Sequence, residues 1–192
     1  MIGIVKYNAG NIRSVENAVK RLGFNCVITD DPGQLEEADK VIFPGVGEAS
    51  SAMRYLNSNG LAIVIKNLRQ PVLGICLGQQ LLCNHSEEGD TDCLGIYDAD
   101  VKRFPDSDIV PHMGWNNLDL KPSKLWNGFT PESDVYFVHG YYVQPQNDTI
   151  AICNYILPFA AAMQKDNFYA TQFHPEKSGS TGELILQNFL NL

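Results

Sequence analysis

Pro71-Val72-Leu73-Gly74-Ile75-Cys76-Leu77-Gly78-Gln79-Gln80 is the stretch whose reading decides the fold. The apolar run after Pro71 reads as a buried strand and the residues after Cys76 as a helix, so a cysteine stands where a strand turns sharply into a helix. Gly74 and Gly78 frame it, because a tight strand-turn-helix elbow needs a strained backbone and close packing that a side chain at these positions would block. The first N–H groups of the helix then point at the sulfur, where they stabilise a thiolate and an oxyanion formed beside it. A free cysteine is usually a small buried hydrophobe. The glycine frame, not the cysteine, carries the reading of Cys76 as a nucleophile.

Outward from that elbow, short apolar strands alternate with helical patterns. Residues 2–5 form the first strand, Ile12, Val15, Ala18, Val19 and Leu22 recur at helical spacing, and Gly23 closes that helix. Strands are expected at 26–28 and 41–43, helices at 51–56 and 61–68, and a strand at 72–75 that delivers Cys76. This alternation predicts an α/β fold, a parallel sheet built from βαβ units. Ligands bind outside the carboxyl ends of such strands, so Asn8, Gly47 and Cys76 are expected to cluster. The second half gives strand-like pieces at 101–104, 136–138, 141–143, 150–153, 160–163 and 169–173, which predict a partly antiparallel extension of the sheet. A helix with an apolar face is expected at 182–190. With neither repeat nor linker to divide the chain, 1–192 is expected to be a single domain.

Length and charge agree. A chain of 192 residues that is 44% hydrophobic and 19% charged can bury one good core. A net charge of −8 without a basic run speaks against nucleic acid or an anionic membrane as the main partner. Met1-Ile2-Gly3-Ile4-Val5 lacks the long apolar core of a signal peptide, no stretch approaches the length of a membrane span, and a cytoplasmic location is expected. Cys26, Cys76, Cys83, Cys93 and Cys153 are scattered without a C-x-x-C pair, which fits a reducing compartment and no structural zinc. Neither a metal nor a cofactor is expected. His85, His112 and His139 read as surface or satisfied structural residues.

Gln172-Phe173-His174-Pro175-Glu176-Lys177-Ser178-Gly179 supplies what the cysteine needs. Pro175 imposes an extended backbone in which residues i and i+2 share a side, so His174 and Glu176 are expected to meet. A nucleophile, a base and a carboxylate that orients the base make a triad, with Cys76, His174 and Glu176 in those roles. The Leu77 N–H, next after the nucleophile, is one oxyanion donor. The turn Gly45-Val46-Gly47 is expected to supply the second from Val46 or Gly47, against the plainer reading of an ordinary strand-to-helix connection.

The pair of motifs around Cys76 and His174 resembles the class I, or triad, glutamine amidotransferases, which have a flavodoxin-like fold. Tyr7-Asn8-Ala9-Gly10-Asn11, Pro44-Gly45-Val46-Gly47 and Pro111-His112-Met113-Gly114-Trp115-Asn116 narrow the resemblance to glutaminase subunits of imidazole glycerol phosphate synthases. It runs from residue 2 to about 189. It implies hydrolysis of L-glutamine to glutamate and ammonia through a thioester on Cys76, with ammonia passed to a (β/α)8-barrel cyclase partner in a heterodimer serving histidine biosynthesis. It also implies glutamine contacts at Gln80, Glu88, Gly45 and Tyr142, and a partner face that includes Asn11, Trp115 and Lys177. For Glu88 a solvated loop carboxylate is the competing reading. The family usually has serine where Gly140 stands, and Glu48-Ala49-Ser50 adds a negative charge near the entrance. Two other functions fit less of the sequence: a paralogous subunit feeding ammonia to a sugar amidotransferase of surface polysaccharide synthesis, and a non-catalytic module of the same fold.

Overall fold

The first strands alternate their side chains between two apolar layers. Ile4, Ile42, Leu73 and Ile75 face one layer, and Val5, Val41, Phe43 and Val72 face the other. A sheet whose strands are apolar on both faces needs helices on both, and parallel pairing with crossover helices is the arrangement that provides them. The computed structural model of the chain describes residues 1–130 and 132–192. Its elements begin β1 (Ile2–Val5), α1 (Ile12–Arg21), β2 (Cys26–Thr29), α2 (Pro32–Glu37), β3 (Lys40–Gly45), α3 (Ala49–Ser58), α4 (Leu61–Asn67), β4 (Val72–Cys76) and α5 (Leu77–Leu81).

They continue β5 (His85–Ser86), β6 (Thr91–Asp92), β7 (Asp100–Arg103), β8 (His112–Asn116), β9 (Asp119–Leu120), β10 (Val135–His139), β11 (Tyr141–Val143), β12 (Thr149–Asn154), β13 (Pro158–Lys165), β14 (Phe168–Thr171) and α6 (Gly179–Leu190). Among the described residues the main sheet runs β2-β1-β3-β4-β14-β13-β12-β9. Its first five strands are parallel and the rest antiparallel. One layer packs α1 and α6 against it, the other α2, α3, α4 and α5.

The expected antiparallel extension is therefore present as β13, β12 and β9. The pieces expected at 101–104, 136–138 and 141–143 do not join it. β7 and β11 belong to a separate sheet of order β11-β7-β5-β6, and β10 pairs with β8 alone. Alternation marks a segment as strand without saying which neighbour it pairs with. Here a single residue, Gly140, separates β10 from β11 and sends them to different sheets. Helix α2 went unread although its signal is plain: Asp31 accepts the Gln34 N–H and Pro32 holds the first helical position.

Pairing brings the site together. Gly45 at the end of β3 is in register with Cys76, and Ile75 of β4 with Thr171 of β14, so the segment carrying His174 leaves the sheet beside the cysteine. Among the described residues no helix is long and apolar enough to cross a membrane. All five cysteines are free thiols.

Candidate active site

Cys76 has φ 55° and ψ −107°, a conformation rarely adopted by a residue with a side chain, at a cost of order 1–3 kcal/mol. Packing enforces it. A Cβ on Gly78 would overlap the Phe43 carbonyl oxygen, and one on Gly74 would lie 2.8 Å from Leu82 Cδ1. Both glycines let β3, β4 and α5 approach closely, as the sequence predicts. Helix α5 is little more than one turn long, so its macrodipole supports a charged sulfur less than the sequence pattern suggests.

His174 and Glu176 meet by a different route from the one expected. Pro175–Lys177 is a 3-10 turn with proline at its first position, and the turn, not an extended segment, folds the carboxylate back onto the ring. His174 Nδ1 lies 2.8 Å from Glu176 Oε1, with both side chains closed to solvent. The Asn11 side-chain amide also donates to that carboxylate. The loop is held by the His174 N–H to the Tyr136 carbonyl at 2.9 Å and by the Ser178 hydroxyl to the His174 carbonyl at 2.6 Å.

Burial by itself disfavours an imidazolium, but contact with Cys76 and Glu176 outweighs it and raises the pKa of His174 to about 9. His174 Nε2 is buried and closes no hydrogen bond of ordinary geometry, yet the sulfur lies near enough to contribute to that rise.

A cavity of about 240 Å³ opens over the sulfur, lined by Cys76, Leu77, Val46, Gly47, Gln80, Glu88, Pro111, Val138, His139, Gly140 and Tyr141. Gln80 is buried, and its amide donates to the Tyr141 carbonyl at 3.3 Å and to Gln172 Oε1 at 3.0 Å. Glu88 is half-buried and accepts the Ala49 N–H at 2.8 Å, and burial raises its carboxyl pKa. Val46 and Gly47 reach the cavity, and the Val46 carbonyl accepts the Gly10 N–H at 3.3 Å, tying the two loops together.

Several expected residues sit elsewhere. Tyr142 does not line the cavity: strand alternation turns it into the core, stacked on Phe104 at 4.7 Å, and its neighbour Tyr141 faces the cavity instead. Gly45 lies beneath the elbow, where a Cβ would overlap the Tyr7 hydroxyl and come within 2.9 Å of Leu77 Cβ, so it serves packing. Asn8 does not join Gly47 and Cys76; it binds the Ser51 hydroxyl at 2.8 Å. Asn11 is spent on Glu176, while Trp115 and Lys177 are exposed.

His112 and His139 are buried and bonded to each other at 3.0 Å. Glu48 caps α3 through the Ser51 N–H. Gln172, which opens the histidine motif but had no role there, is wholly buried with its amide 3.6 Å from the Cys76 sulfur. Its signal was its place two residues before His174, on the same side of the segment.

An elbow cysteine beside a carboxylate-oriented histidine, opening on a small polar cavity, is equipped for acyl transfer through a thioester. The model of the glutamine amidotransferase class-I family matches residues 4–192, and the chain belongs to this enzyme family. Among its relatives are proteins named imidazole glycerol phosphate synthase subunit HisH. The one from Bacteroides thetaiotaomicron is 62% identical, over 100% of this chain and 99% of its own. The one from Haemophilus influenzae is 46% identical, over 98% and 96%. A solved glutamine amidotransferase matches with a TM-score of 0.75 at 18% identity, covering 99% of this chain and 97% of its own, and shares the fold. So does a glutamine amidotransferase from Thermotoga maritima, with a TM-score of 0.65 at 18% identity, covering 99% and 82%.

Proposed function

We propose that this chain is the glutaminase subunit of an imidazole glycerol phosphate synthase, releasing ammonia from L-glutamine for a cyclase partner in histidine biosynthesis. The observation that carries the reading is the solvent-closed His174–Glu176 contact beside Cys76 at the floor of the cavity. The full-length identity to relatives named for that synthase favours this acceptor over a sugar amidotransferase.

The Cys76 thiolate attacks the carboxamide carbon of glutamine. The oxyanion that forms is held by the Leu77 N–H and by a second donor from Val46 or Gly47. The His174 imidazolium gives its proton to the departing nitrogen, and ammonia leaves. The neutral imidazole then takes a proton from water as that water adds to the thioester carbon; glutamate departs and the thiolate–imidazolium pair is restored. Glu176 holds the Nδ1–H tautomer throughout. Gln80 and Glu88 receive the substrate, Glu88 through its α-ammonium group. Gly45 supports the elbow from below.

The partner face is the β8 side, where Met113 and Trp115 are 63% and 56% exposed. Apolar side chains exposed together mark an interaction surface. It adjoins the site: Trp115 is in register with Tyr136, whose carbonyl holds the His174 N–H. Asn11, bonded to Glu176, and the exposed Lys177 extend this region. A heterodimer with the cyclase in the cytoplasm, and a single domain over 1–192, complete the reading. The test is glutamate release from glutamine by the purified chain and by Cys76→Ala, alone and with the cyclase and its ribotide ligand. Cys76-dependent release that rises with the partner is expected. Release indifferent to the partner would remove the histidine-pathway acceptor, and none under any condition would remove the enzyme reading.

A further inference from the structure

The two ends of a glutamine amide are alike in shape, and only their hydrogen-bond partners tell them apart. Tyr141 offers a main-chain carbonyl, which can only accept, so the end of Gln80 that lies 3.3 Å from it is the NH2 group. That same NH2 lies 3.0 Å from the amide of Gln172, so the end of Gln172 facing it is the oxygen. The remaining end of Gln172, its NH2, is the one 3.6 Å from the Cys76 sulfur. Reversing Gln80 would set two acceptors against each other, and reversing Gln172 two donors, in a buried place and at a cost of roughly 1–3 kcal/mol. The orientation is fixed by the backbone, two side chains away from the sulfur.

We infer that Gln172 is a further member of the reaction centre, whose amide N–H holds the charged sulfur of Cys76 in place for attack, with Gln80 as the positioning residue that aims it. The inference rests on Cys76 being the nucleophile proposed above. Besides the His174 ring, the sulfur has the Val138 carbonyl at 3.9 Å, an acceptor that suits a thiol and repels a thiolate. With α5 so short, a donor from a side chain supplies what the helix does not. Gln172 is well anchored for this, since it is wholly buried and its main-chain N–H bonds the Ala161 carbonyl at 2.8 Å. Alternate residues 172, 174 and 176 thus bring the donor, the base and its orienter from one short segment.

The test is the rate of Cys76 alkylation by iodoacetamide at neutral pH, read by peptide mass spectrometry with Cys26 and Cys153 as internal references. Wild type is compared with Gln172→Leu, which removes the donor, and Gln172→Glu, which still accepts from Gln80 but turns an oxygen to the sulfur. In both variants Cys76 should slow by about 10- to 100-fold relative to the references, the range expected on losing a hydrogen bond to a charged group. The kcat for glutamine should fall in step, and in Gln172→Glu, which keeps the anchor of Gln80, KM should stay within about threefold, because the lost contact is to the nucleophile and not to the substrate. A purely structural glutamine would change melting temperature alone. Undiminished Cys76 alkylation in folded Gln172→Leu, or in Gln172→Glu should the leucine variant not fold, overturns the inference. If wild-type Cys76 reacts no faster than Cys26, the proposed nucleophile itself fails and the inference falls with it.

Discussion

His174 and His139 are both buried histidines, yet their pKa values are shifted in opposite directions. His139 has one ring nitrogen on the Tyr141 carbonyl at 2.7 Å and the other on His112 at 3.0 Å, with Phe159 packed edge-on. No carboxylate bonds to it, and burial lowers its pKa to about 3 and that of His112 to about 4. His174 is no more exposed, but Glu176 and Cys76 reverse the sign and raise it to about 9. Burial alone makes a histidine a neutral structural hydrogen-bonding group. Burial beside a carboxylate and a sulfur makes it a proton carrier. The expectation that His112 and His139 are satisfied structural residues agrees with this geometry, although they lie inside rather than at the surface.

The contrast is broken most severely at Glu176. Glu176→Gln should leave His174 with burial and the sulfur alone, lowering its pKa in an NMR titration and cutting glutaminase kcat by about 10²- to 10⁴-fold. A variant of near wild-type rate would mean that Glu176 does not orient the base.

The pH dependence of stability separates the two regions by sign. The pKa of His174 is raised on folding, so its pairing contributes fully below pH 6.5 and is lost as pH rises from there through about 9. For His112 and His139 it is lowered, so their contribution is intact above pH 6.5 and is lost as pH falls toward about 4 and about 3. Urea midpoints should decline on both sides of neutrality, and more on the acid side, where two histidines contribute. In Glu176→Gln the alkaline decline should shrink while the acid one persists; equal shrinkage of both limbs would contradict the assignment.

A smaller effect is expected at His112. His112→Phe leaves His139 Nε2 buried without a donor and should cost roughly 1–3 kcal/mol by chemical denaturation, with glutamine kcat of the isolated chain within about threefold of wild type. A collapse of kcat with unchanged stability would move this pair from scaffold to machinery. The smallest effect belongs to Gly140→Ser, which introduces the serine that the resemblance leads one to expect there. A Cβ there meets only Val110 Cγ1, at an ordinary 3.7 Å, so stability should change by no more than about 0.5 kcal/mol. KM for glutamine is the quantity to watch, since Gly140 lines the cavity.

Much of the site was legible because its chemistry is local. The elbow needs two glycines around one cysteine, and the proposed base and its proposed orienter lie two residues apart, so each leaves a pattern in a few consecutive residues. The parallel half of the sheet was legible for the same reason, since each strand and the helix after it follow within one short stretch. What stayed hidden depends on pairing and facing. Nothing local distinguishes Tyr141 from Tyr142 until β11 has a partner and a core side. Nor does it give Gln172 a role until β14 and β4 set it beside the sulfur.

The sequence by itself thus determined the fold class and singled out the proposed nucleophile and its proposed base, because backbone strain and side-chain chemistry are written in neighbouring residues. Only the tertiary structure decided that β10 and β11 part into different sheets, that a 3-10 turn closes His174 onto Glu176, and that Gln80 and Gln172 stand in line with Cys76. Those outcomes depend on contacts between residues far apart in the chain, whose desolvation and hydrogen-bond partners exist only after the sheet has formed.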